Sequence, residues 1–164
     1  MNILLTIDGV LRRSNSNTQE PIRDGVLLYR ALKANNQITL LTDEPYEEAS
    51  RWLTLAGLSD FDGLMGDEMY LPGETVREAQ IRVAKSRGPV AMLVDPDPAV
   101  IATVYDHGFV GLLFVAPSFA APQYRPDAPK KRREWAAIEA AVVADKINKS
   151  KTKFATGADL AWDE

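Results

Sequence analysis

Five short apolar runs alternate with segments of helical periodicity along residues 1–117, and this alternation constrains the fold more than any other feature. The runs are Asn2–Thr6 with Ile7, Gln37–Thr42, Phe61–Met65, Val90–Val94 and Phe109–Val115. Between them, 21–35, 46–58, 74–87 and 98–107 place apolar residues at near-helical spacing, as with Ile22, Val26 and Tyr29, or Trp52, Leu55 and Ala56. A strand that is apolar nearly throughout needs cover on both faces, which a parallel sheet between two helix layers provides. The predicted fold is therefore α/β, a three-layer doubly wound parallel sheet. Pro21 suits a first helical turn and Gly108 a helix C-cap, which sharpens two of the boundaries.

After Pro117 the character changes. Pro122, Pro126 and Pro129 fall in 118–130 and make that stretch an extended connector. Residues 131–149 follow as a C-terminal helix with a narrow stripe of Trp135, Ile138, Val142 and Ile147, and 150–164 as a polar tail. Phe154, Leu160 and Trp162 are the only large apolar residues of that tail, so they are the candidate residues for docking a protein partner or a neighbouring subunit. At 164 residues the chain has room for one core. Its net charge is −4, but 130–164 holds eight Lys or Arg against six acids. An acidic body argues against broad nucleic-acid binding. No run approaches ~18 apolar residues, so no membrane span is expected, and Met1 leads straight into a strand without a basic leader. The expected setting is cytoplasmic.

The chain has no cysteine and one histidine, His107, which precludes thiol nucleophiles, zinc–thiolate sites and histidine clusters. Chemistry would rest on carboxylates, hydroxyls, Lys or Arg, and a hard cation. In doubly wound sheets ligands bind beyond the carboxyl ends of the strands. Thr6, Asp8 and Gly9 follow the first run, Thr42 ends the second, and Asp95 and Asp97 follow the fourth, with Arg77 near the start of the third helix. Asp95 and Asp97 could supply oxygen ligands to a cation of the Mg²⁺ type. Taken singly, each has an ordinary structural reading: Asp-Gly as a turn, a strand-end Thr as a cap, Asp-Pro-Asp-Pro as a helix entry, and His107 as a helix C-terminal residue.

In this order the segments Thr6–Leu11 (TIDGVL), Leu40–Thr42 (LLT) and Leu93–Asp97 (LVDPD) resemble motifs of the haloacid dehalogenase superfamily of phosphohydrolases. Residues 47–65 and the block from Leu93 to Pro117 are most similar to the 3′-phosphatase domain of bacteriophage polynucleotide kinases. The resemblance spans about 1–117, and no phosphate-binding loop of the kinase half is present. It implies that Asp8 is the general acid/base, Thr42 the phosphate-binding hydroxyl, Arg77 the counterpart of the family lysine, and Asp95 with Asp8 and Asp97 a weak or vestigial Mg²⁺ site.

The departures decide what the resemblance implies for function. Thr6 stands where the family has its nucleophilic, metal-binding aspartate, and Pro96 where it has a second acid. A neutral hydroxyl without a neighbouring base in sequence is a poor nucleophile. The expected protein is a pseudophosphatase serving as an interaction or assembly module, with a phage-infected cell or the virion as its setting. The alternative is a Mg²⁺-dependent phosphatase for nucleotide or polynucleotide 3′-phosphates, and nucleic acid is a partner only in that case. Short connections at 12–21 and 66–73 leave no room for a cap domain, so an open site mouth is expected.

Overall fold

The computed structural model describes residues 1–13, 19–68, 71–115 and 135–158. Five strands form one all-parallel sheet: β1 (Asn2–Thr6), β2 (Gln37–Leu41), β3 (Gly63–Met65), β4 (Val90–Asp95) and β5 (Val110–Leu113), in the order β3-β2-β1-β4-β5. The connecting helices are α1 (Arg23–Lys33), α2 (Tyr46–Leu55), α3 (Val76–Arg87) and α4 (Pro98–His107), and α5 (Trp135–Ala158) follows the sheet.

The period-2 alternation of β1 sorts its side chains between two apolar clusters. Ile3 and Leu5 pack with Tyr29 of α1 and with Ala49, Trp52 and Leu53 of α2. Leu4 packs with Ile81 and Ala84 of α3 and Val104 of α4. Helices therefore cover both faces, as the apolar strands require. The chain winds outward from β1 through β2 to β3, then returns to the other side of β1 for β4 and β5. The direction of winding thus reverses between β1 and β4, and in such sheets the reversal opens a crevice at the strand ends.

Several boundaries differ from the sequence-based expectation. Pro21 precedes α1 rather than opening it, because it bridges back to Arg12 and Ile22 N–H donates to the Leu11 carbonyl at 2.7 Å. α2 stops at Leu55, where Gly57 takes a φ of 69° and turns the chain. α3 starts at Val76 under a capping box in which Thr75 and Glu78 satisfy each other's backbone N–H groups. β5 is shorter than its apolar run. As the sheet's edge strand it leaves Val110 and Leu112 exposed, so apolarity overstated its pairing. α4 ends as expected, with Gly108 left-handed at φ 77°.

The C-terminal helix departs most. It runs from Trp135 to Ala158, past the expected end at Lys149, so Phe154 of the expected tail lies within the helical span. Leu160 and Trp162, the whole connector and residues 14–18 lie outside the described residues. No helix among the described residues is long and apolar enough to cross a membrane.

Candidate functional site

At the reversal point β1 and β4 end side by side, and their terminal residues form a buried ion-pair cluster. Thr6 Oγ1 donates to Asp95 Oδ2 at 2.6 Å. Arg77 Nε, from the first turn of α3, reaches the same carboxylate oxygen at 3.1 Å. Asp95 Oδ1 accepts the Asp97 N–H at 2.8 Å. Burial pushes the Asp95 carboxyl above the ordinary aspartate value, while Arg77, the Thr6 hydroxyl and the Asp97 N–H oppose that shift.

Arg77 is held on three sides. Its other contacts are Asp43 Oδ1 at 3.1 Å and the side-chain oxygen of Gln80. Gln80 in turn donates to the carbonyls of Thr42 (2.8 Å), Gly66 (2.9 Å) and Met65 (3.1 Å), which ties α3 to the ends of β2 and β3. Arg77 and Gln80 lie one helical turn apart on α3, so both turn toward the sheet ends.

A second buried cluster adjoins the first. Asp8 follows β1, and the chain folds back sharply through Gly9 (φ 85°) so that Arg12 returns to it. Arg12 Nε and one terminal nitrogen lie 3.0 and 2.6 Å from Asp8 Oδ1, and the same nitrogen is 2.8 Å from Glu44 Oε2. The guanidinium also lies over the Trp52 ring, 5.3 Å from its centroid. Thr42 Oγ1 donates to Asp8 Oδ2 at 3.2 Å and accepts from the Glu44 N–H. The Arg12 pKa is raised: desolvation is the largest influence and acts to lower it, but the two carboxylates outweigh it.

The structure thus brings Thr6, Arg77 and Asp95 together, with Thr42 on Asp8 beside them. It sends Asp97 elsewhere, to cap α4 through the Ala99 N–H at 2.9 Å and to pair with Lys146 of α5. Arg12, Glu44 and Gln80 were not singled out in the sequence. The available signal for Arg12 was a basic residue four positions after Asp8, directly behind the apolar Val10-Leu11. Glu44 carried none, since its partner Arg12 comes from another element, nor did Gln80, whose amide nitrogen meets carbonyls beyond α3.

A Mg²⁺ ion is what the family resemblance implies, and the carboxylates that would hold it are engaged by protein donors in this structure. Both oxygens of Asp95 and both of Asp8 already accept from protein donors, two of them arginines. Among the described residues no group of three or more His, Asp or Glu is arranged to hold a metal. A cation at Asp95 Oδ2 would compete with Arg77 and with the Thr6 hydroxyl.

A cavity of about 420 Å³ opens from this cluster. Thr6, Asp8, Asp43, Arg77 and Asp95 form its floor, and Val100 and Thr103 of α4 form a wall. Val142, Asp145 and Lys146 of α5 also line it. The expected open mouth is therefore narrowed by the C-terminal helix, which the sequence reading had set apart from the site. No family model matches the chain, and no curated protein or solved structure is significantly similar to it.

Proposed function

We propose that this chain is a haloacid-dehalogenase-like pseudophosphatase that works as an interaction or assembly module. The observation that carries the reading is the closed cluster of Thr6, Arg77 and Asp95. The strand-end oxygen is a neutral hydroxyl, and its proton is committed to a carboxylate that also pairs with a buried arginine. An arginine that neutralises Asp95 from within takes over the charge balance that a metal would otherwise supply. Asp8, the general acid/base in the resemblance, is likewise engaged, by Arg12.

The interaction role is supported by α5. It lies against α4 and still exposes Trp135, Val143 and Ile147 by about half their surface. Large apolar side chains left bare on a helix are where a protein partner would bury area. A neighbouring subunit is the proposed partner, in keeping with the virion or host-cell setting expected from the sequence.

One observation favours the second reading, a slow phosphatase. A hydroxyl 2.6 Å from a carboxylate whose affinity for protons is raised by burial has the geometry of a nucleophile and its base. In this reading Asp95 would be the base that the sequence alone did not reveal. Hydrolysis of an aryl phosphate and of a 3′-phosphorylated oligonucleotide, followed with and without Mg²⁺, separates the two readings. The unaltered chain is expected to stay at background. Turnover lost in both Asp8→Asn and Asp95→Asn would instead make it an enzyme.

A further inference from the structure

We infer that α5 is a strap over the strand-end cavity, latched by the Lys146–Asp97 ion pair, and that its release governs access to Thr6, Arg77 and Asp95. The inference concerns regulation of the site described above and rests on the proposed function only for what that site does once reached.

Three observations carry it. Val142 is 4% exposed although the other described side chains of its helix are mostly open to solvent, and it lines the cavity together with Asp145 and Lys146. Lys146 pairs with Asp97, the residue that caps α4 and lies two positions from Asp95. The latch therefore closes on the element that forms the cavity wall. Finally, among the described residues α4 is the element on which α5 packs, and Val142 is the one buried side chain of α5.

An opening of α5 would expose Val142 and break the Lys146–Asp97 pair, a local event that need not unfold the sheet. The ion pair is also the part most open to outside control, because salt or a competing charged group weakens a pair exposed to solvent. With the strap in place, a ligand reaches the cluster through a cavity of about 420 Å³ that α5 lines on one side. With it released, that side is open to a larger one.

The absence of cysteine makes the test direct, since one introduced thiol is the only one present. Val142→Cys and Thr103→Cys report on the two sides of the closed cavity. Val143→Cys on α5 and Ala102→Cys on α4 are exposed controls on the same helices. With a maleimide probe, each cavity thiol is expected to react at least about tenfold more slowly than its control, as protection by local opening predicts. Adding Lys146→Glu, or high salt on the unaltered latch, is expected to remove most of that protection at both positions together. The thermal midpoint should stay near that of the parent.

Cavity thiols that react as fast as their controls would overturn the strap. Protection that survives both Lys146→Glu and high salt would overturn the latch. Neither result touches the phosphatase assay, and hydrolysis by the unaltered chain would leave the labelling rates as they are. Failure of the strap and failure of the pseudophosphatase reading are thus separately visible.

Discussion

Replacing Arg12 by methionine is expected to destabilise the fold by about 3–5 kcal/mol, the range for removing one partner of a buried ion pair. Arg12, Asp8 and Glu44 are 2%, 8% and 4% exposed, so water cannot take over the role of the guanidinium. Methionine keeps much of the stem that packs on Trp52, which confines the loss to charge and hydrogen bonds. For a chain of this size each kcal/mol moves the midpoint by roughly 2–4 °C, so a drop of roughly 10 °C is expected in a thermal melt. Arg12→Lys should fall between the two, because one ammonium cannot reproduce the nitrogens that meet Asp8 and Glu44. A loss below about 1 kcal/mol, the usual worth of an exposed pair, would show that the cluster is not buried in solution.

Gly25→Ala is the second large effect, and its cause is steric. Gly25 lies in the first turn of α1, and a Cβ there would stand 1.7 Å from the Val10 carbonyl oxygen. No side chain can swing aside, because the obstacle is backbone of the turn that returns Arg12 to Asp8. Helix propensity alone would make this substitution favourable by about 1 kcal/mol. The clash reverses the sign, and the net loss should exceed about 3 kcal/mol, the upper end of ordinary overpacking. Gly57→Ala serves as the control. It has open space but a φ of 69°, so it should cost only about 1 kcal/mol. Urea unfolding of both variants checks the order, and an unperturbed Gly25→Ala would refute the close approach of α1 to the β1 turn.

The sheet was legible because its signal is local and redundant. A buried parallel strand reads as an apolar run whatever its neighbours are, and the pattern around β1, β2 and β4 fixed both the class and the end of the sheet where a site would lie. The edge was less legible, because Val110 and Leu112 are as apolar as core residues yet half-bare. For α5, the polar residues after Lys149 looked like a tail, although nothing from Ser150 to Thr156 is a helix breaker.

Within the candidate site, Thr6, Asp8, Thr42 and Asp95 could be named because strand ends converge at a winding reversal, and Arg77 from its place near the start of the third helix and the family resemblance. Asp97 carries two readings in the sequence, a ligand and, beside Pro98, a helix cap, and in the structure its side chain caps α4 and pairs with Lys146. Arg12, Glu44 and Gln80 escaped for a different reason. A buried charge or amide is explained by the partner it meets, and those partners lie 32 and 38 positions away for the Arg12–Glu44 and Gln80–Thr42 contacts.

The central claim is that Arg77 and Thr6 close the strand-end carboxylate into an internal ion pair where the family resemblance implies a metal-dependent phosphatase centre. Calorimetric titration of Mg²⁺ into the unaltered chain tests it most directly, with Thr6→Asp titrated alongside. The account predicts no saturable binding by the unaltered chain at millimolar Mg²⁺. It predicts measurable binding by Thr6→Asp, where a second carboxylate joins Asp95. Stoichiometric Mg²⁺ binding by the unaltered chain that Asp95→Asn abolishes would contradict it.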